Sequence, residues 1–174
     1  KSLIDSKLFY PMNETASEER LHFYASEFPL VEVDSTYYGM PKVENSELWV
    51  ARTEPGFLFD VKSFSLFTNH PTTPMALPKD IRDQLPDNLR EKNIYLEQMP
   101  EELLDESWER FRAALEPLRA AWRLGAVFFL FPPCFLPSSR SLASTAHVQA
   151  LPFWFPVAVP LHLPAWADPI HRAG

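Results

Sequence analysis

The stretch FPLVEVDSTYYGMP, residues 28–41, constrains the fold of this chain more than any other. Read at period two, Val31 and Val33 face one way while Glu32, Asp34 and Thr36 face the other. A helix-like segment and a second strand follow, the order of a parallel sheet buried on both faces. Carboxylates on such a face need a cation, hydrogen-bond donors or a metal, because bare buried charge is costly. The next strand, residues 57–62, supplies one partner. Phe57, Phe59 and Val61 form its apolar side, and Leu58, Asp60 and Lys62 the other. Glu32, Asp34, Asp60 and Lys62 are therefore expected on one surface, the inside of a barrel or the mouth of a sheet.

The flanking segments fit a parallel sheet with helical crossovers. Thr15 to Glu18 has capping-box spacing, and the helix it opens, residues 16–27, puts Leu21, Tyr24, Ala25 and Phe28 on one stripe. Asn45 or Ser46 caps a short helix that Pro55-Gly56 ends. Residues 63–100 are polar and proline-punctuated, with one short helix after Pro78, and read as a lid or surface excursion. Residues 101–122 form the longest helix, with Trp108, Phe111, Leu115 and Leu118 on one face and Pro117 predicted to kink or split it. Trp49, Trp108 and Trp122 fall on apolar helix faces and are expected in the core. Residues 124–131 have buried-strand length, 138–151 are weakly helical, and 157–159 form a short strand among prolines 152, 156, 160 and 164.

Composition narrows the function classes. The 174 residues suffice for one domain with a real core. A net charge of −7 argues against a general nucleic-acid surface, and the aromatics are not interleaved with Lys and Arg as a single-strand stacking platform requires. The single cysteine, Cys134, excludes an internal disulfide and fits a reducing compartment. Prolines interrupt the C-terminal apolar runs before the roughly 20 residues that span a bilayer, so no membrane association is expected. The N-terminus offers no secretory signal and opens without Met, as a processed or truncated start would. Charge thins abruptly at Leu124: beyond it lie Arg140, Arg172 and Asp168, against 14 Lys/Arg and 22 Asp/Glu before it.

No glycine-rich phosphate loop, dinucleotide fingerprint, zinc-type spacing or nucleophile elbow is present. The polar face of the two strands is the remaining candidate. Glu32, Asp34 and Lys62 are the catalytic candidates, the carboxylates as acid/base or metal-binding groups and the ammonium as an anion holder. Tyr37, Asp60 and His70 are the substrate-binding candidates at the same mouth. Glu32, Asp34 and His70 together have the ligand chemistry of a divalent-metal site, although no spacing demands one. The competing structural reading is a salt-bridged polar layer that needs no substrate. Arg20 and Arg52, near helix ends, read as surface ion pairs.

FYP at 9–11 and the blocks at 19–41, 49–70 and 109–133 carry a resemblance to the domain of unknown function 72, or YecE-like, family. The resemblance implies a TIM-type (β/α)8 barrel, normally cytoplasmic, with no settled activity. It implies a distant likeness to metal-dependent endonuclease and sugar-isomerase barrels. The departures from that pattern are specific: the family's first strand is missing, its glutamine before Phe-Pro-Pro is Leu130, and its later Glu-Phe-Arg strand aligns with Pro160-Leu161-His162.

The combined expectation is a partial barrel lacking its first and last strands. Residues 1–133 carry the family pattern, and 134–174 a degraded or divergent continuation of it. Such a chain reads as truncated and inactive, with open sheet edges prone to association. Two alternatives stand beside that reading. One is a barrel enzyme performing metal-assisted phosphodiester hydrolysis or sugar-type isomerisation on a small anionic or sugar-like ligand. The other is a non-catalytic module using the proline-rich end as a partner surface.

Overall fold

The computed structural model describes residues 4, 8–11, 16–132 and 156–159. Cys134, the weak helix at 138–151 and most of the proline-rich end lie outside the described residues. Four parallel strands form one sheet: β1 (Leu30–Val33), β2 (Leu58–Lys62), β3 (Leu124–Phe128) and β4 (Val157–Ala158). They lie side by side in chain order, with no reversal of the kind that marks a doubly wound sheet. That is the order of a (β/α)8 wall, although the described strands do not close a barrel.

The helices are α1 (Ser17–Glu27), the single turn α2 (Ser35–Tyr38), α3 (Val43–Ala51), α4 (Lys79–Asp83) and α5 (Glu101–Ala120). Phe59, Val61 and Val127 point from the strands into the core, where α5 delivers Trp108, Phe111, Leu115 and Leu118. Phe67 stacks on Trp108 with ring centroids 3.6 Å apart, and Trp49 of α3 stacks on Phe59. The apolar alternation of β2 and the stripe of α5 are thus complementary faces of one interior.

Several local expectations need correction. Glu19 rather than Glu18 closes the first turn of α1, accepting from the Ala16 N–H at 2.9 Å, and Glu18 pairs instead with Arg52 at 3.2 Å. Helix α3 begins at Val43, ahead of Asn45 and Ser46, and Ser46 is buried inside it. Helix α5 runs unbroken through Pro117, which sits in the last turn where only the bond to the Ala113 carbonyl is lost. Residues 63–100 are no surface excursion. Phe64, Leu66, Phe67, Ile81, Leu85 and Ile94 from this segment are all buried, and Thr72 and Ile94 exchange backbone hydrogen bonds at 3.0 and 2.8 Å. Its charged residues lie outward, while Ser63, Ser65, Thr68 and Thr72 are buried beside the apolar residues that fill the core.

Trp122 is not a core residue: it is 89% exposed. The Arg123 N–H bonds to the Leu118 carbonyl and the Trp122 N–H to that of Arg119, the hydrogen-bond pair of a Schellman termination. Trp122 holds the left-handed position there, φ 58°, which glycine usually fills. The helical period ends at Ala120, so extending the apolar stripe two residues further assigns Trp122 the wrong side.

Candidate active-site mouth

β1 and β2 pair in register, Glu32 beside Asp60 and Val33 beside Val61. Alternation therefore sends Glu32, Asp60 and Lys62 to one face and the valines to the core. The Lys62 Nζ lies 3.2 Å from Glu32 Oε1 and contacts Asp34 Oδ1. The hydrogen bond it donates to Asp34 holds the ammonium above the usual lysine range, opposed by partial burial and reinforced by Glu32. Glu32, Asp34 and Lys62 are thus brought together, Glu32 and Lys62 as the strand pattern predicts.

Their setting differs from the expectation. The Glu32 side chain is 49% exposed and that of Asp34 63%, so the penalty for burying bare carboxylates does not apply. β1 is an edge of the described sheet, and Asp34 lies beyond its end, where its carbonyl accepts from the Tyr37 N–H at 3.0 Å. Ion pairs this open are screened, worth about 0–1 kcal/mol each.

Residues 35–38 are helical rather than extended, so Thr36 does not belong to the strand alternation and Tyr37 stands on a turn beyond β1. Thr36 is buried, and its hydroxyl lies 2.6 Å from the Lys62 carbonyl. This bond fastens α2 to the end of β2 and fixes where Tyr37 stands. The Tyr37 ring meets Tyr38 edge-on at 5.0 Å and His70 edge-on at 5.4 Å. Burial raises its phenol pKa, Tyr38 adds to the rise, and the Lys62 charge opposes it. Tyr37 thus touches the imidazole and feels the ammonium. The His70 Nδ1 lies 2.9 Å from Thr68 Oγ1, and burial lowers the imidazole pKa.

Asp60 shares the face but is committed to strand geometry. Phe59 pairs with Leu124 and Val61 with Val127, so β3 fits one more residue than β2 into the same interval, a bulge. The Ala126 N–H freed there donates to Asp60 Oδ1 at 2.8 Å. A Cβ on Gly125 would lie 2.3 Å from that oxygen, so the carboxylate occupies the space a side chain at 125 needs.

Among the described residues no three His, Cys, Asp or Glu side chains converge as metal ligands. Lys62 lies between Glu32 and Asp34, in the place a cation would take, so this donor set does not fit a divalent metal as it stands. A cavity of about 750 Å³ opens beyond Tyr38, lined also by Lys42, Met75, Lys79, Arg110 and Ala114. Its Arg110 is held by Asp80 and Glu106 and its Lys79 by Asp83.

Sequence reasoning missed two supporting residues, Gly125 and Arg123. Arg123 is 6% exposed and donates to the Thr53 carbonyl at 3.0 Å, to Thr53 Oγ1 at 3.3 Å and to the Glu54 carbonyl. A cation at the end of α3 suits the helix dipole, but an arginine 70 residues away in sequence leaves no local signal of it.

No helix among the described residues is long and apolar enough to cross a membrane. The chain is 30% identical over 131 residues to the UPF0759 protein YunF of Bacillus subtilis, covering 75% of this chain and 38% of that protein. A crystal structure of a DUF72 family protein from Enterococcus faecalis superposes with a TM-score of 0.62 at 26% identity, over 87% of this chain and 46% of that one. A DUF72 family protein from Thermotoga maritima, at 21% identity, shares the fold with a TM-score of 0.61 over 95% of this chain and 54% of that one. The chain thus spans roughly half or less of the length of these relatives. Residues 3–173 match the family described as "Protein of unknown function DUF72", and the chain belongs to that family.

Proposed function

We propose that the mouth at the carboxyl ends of β1 and β2 binds a small, neutral, polyhydroxylated ligand of the sugar type. The observation that carries this reading is the Lys62 ammonium held between Glu32 and Asp34 on the open face. It gives adjacent, half-exposed donors and acceptors, the polar complement of vicinal hydroxyls. Glu32, Asp34 and Asp60 against Lys62 leave the face net acidic, which disfavours a phosphate or other anion there. Metal-assisted phosphodiester hydrolysis has less support for the same reason, and because a metal would have to displace the ammonium.

For this chain the reading is binding without turnover. Lys62 is held protonated, and both acids nearest it are engaged by it. In a longer relative, Glu32, Asp34 and Lys62 would be the groups to carry an acid/base step, with Tyr37 and His70 opposite. The single cysteine supports a cytoplasmic setting. β1, an edge among the described strands, supports association by strand pairing.

The test is titration of ¹⁵N-labelled protein with neutral monosaccharides and, separately, with the corresponding sugar phosphates. Neutral sugars should shift the amides of residues 32–37 and 60–62, and Glu32→Gln or Lys62→Met should weaken the effect. Tighter binding of the phosphates at these residues, or no neutral-sugar shift there, overturns the reading.

A further inference from the structure

We propose that His70 is the hydroxyl-accepting residue of this mouth, locked by Thr68 as the Nδ1–H tautomer so that Nε2 presents a lone pair to the ligand. The proposal rests on the polyol reading above and names the group that orients such a ligand.

The proton count of one buried hydroxyl decides the tautomer. Thr68 is 1% exposed, and its Oγ1 lies 3.1 Å from the Ser65 carbonyl and 2.9 Å from His70 Nδ1. It has a single proton to donate. The carbonyl accepts only, so its contact is a hydrogen bond only if Thr68 donates to it. Thr68 Oγ1 must then accept from a protonated Nδ1. The reverse assignment sets two oxygen lone pairs against each other at 3.1 Å in a buried place, which is costly. The Ser65 carbonyl also takes the His70 N–H at 3.1 Å and shares the Asn69 N–H with the Leu66 carbonyl, so it is a point on which several donors converge.

The residue is anchored at both backbone ends. Besides the Ser65 contact, its carbonyl accepts from Thr72 Oγ1 at 3.1 Å, and Thr72 in turn meets Ser65 Oγ at 2.8 Å. The ring lies edge-on to Tyr37, whose phenol senses the Lys62 charge. No side-chain charge contributes to the lowered imidazole pKa, which burial alone produces. A neutral ring with Nδ1 spent on Thr68 leaves Nε2 as an acceptor. That nitrogen has no partner among the described residues and is not one of the buried unpartnered atoms, so it opens to solvent. Lys62 and its carboxylates are tied through Thr36 to the turn that carries Tyr37, and a single molecule of the proposed ligand reaches both them and His70. Replacing the hydroxyl that faces His70 by hydrogen should weaken binding about three- to tenfold, the effect of one neutral hydrogen bond.

The experiment is a long-range ¹H–¹⁵N imidazole spectrum of the whole chain, at a pH well above the histidine range, with and without D-glucose and D-xylose. The expected result is a protonated Nδ1 and a bare Nε2 for His70, with Nε2 moving on sugar addition. Thr68→Ser should keep that tautomer and Thr68→Val should lose it. A predominant Nε2–H tautomer in the unaltered chain overturns the proposal, while sugar-induced shifts at Lys62 in the same sample would leave the polyol reading standing. A bare Nε2 that sugars never move, with Lys62 shifting, overturns it equally. Absence of any sugar shift at Lys62 and His70 alike sinks both readings.

Discussion

Replacing Gly125 by alanine tests how the polar face is built, because the consequence falls on one identifiable bond. The new Cβ would sit 2.3 Å from Asp60 Oδ1, and restoring ordinary van der Waals separation requires the carboxylate to retreat by about 1 Å. Asp60 is short and already bonded to the Ala126 N–H at 2.8 Å, so that retreat breaks the bond. A hydrogen bond to a charged group contributes about 1.5–3 kcal/mol. The smaller conformational freedom of alanine in the unfolded chain returns about 0.4–1 kcal/mol. The net expectation is a loss of about 1–2 kcal/mol, a fall in Tm of roughly 2–8 °C for a chain of this size. Urea and thermal denaturation of four proteins, unaltered, Gly125→Ala, Asp60→Ala and the double variant, measure it. In the Asp60→Ala background the obstructing oxygen is gone, so Gly125→Ala should cost less than about 0.5 kcal/mol, a coupling of about 1 kcal/mol or more. Equal costs in both backgrounds would refute the account.

Three further outcomes follow from features elsewhere in the chain. Arg123→Met should cost about 2–4 kcal/mol in urea melts by stranding the carbonyls of Thr53 and Glu54, with Arg123→Lys recovering less than half because an ammonium lacks the fork; full rescue by lysine would rule out the fork. Trp122→Gly should raise stability by about 0.5–1 kcal/mol, relieving a left-handed backbone at an exposed site, and a clear loss in the same melts would show that the indole packs on something. Lys62, its pKa raised chiefly by Asp34, should react with an amine-directed ester more slowly than Lys42 or Lys79 by mass spectrometry, and Asp34→Asn should speed it. Its contribution to stability is present below the ordinary lysine pKa and is lost as pH rises through the higher folded value; a pH melt series that is flat across that alkaline window would contradict it.

The strand pairing was legible because period two is a strict rule. Once residues 30–33 and 58–62 are read as neighbouring parallel strands, Glu32 and Lys62 must share a face, and they meet at 3.2 Å. Asp34 reaches the same ammonium by a different route, from the turn beyond the strand, so alternation named the right residue for an incomplete reason. Burial was misjudged because sheet position is a property of topology: the exposure of Glu32 follows from β1 lying at an edge of the described sheet, which no local pattern states. The segment 63–100 misled because polarity averaged over a loop conceals the few apolar residues that enter the core, such as Phe67 on Trp108. Gly125 and Arg123 were silent because their meaning lies in contacts with Asp60 and Thr53, more than 60 residues away.

The Thr36 hydroxyl bound to the Lys62 carbonyl gives the two walls of the mouth a common hinge pin. Phenol and ammonium keep their spacing because a residue facing neither of them ties one backbone to the other. On the proposed ligand-binding reading, selectivity at this mouth is adjustable from behind. Exchanging Thr36 for valine leaves every ligand-facing group in the sequence, yet frees the Tyr37 ring to drift, so a change in ligand preference need not map to any residue that touches the ligand.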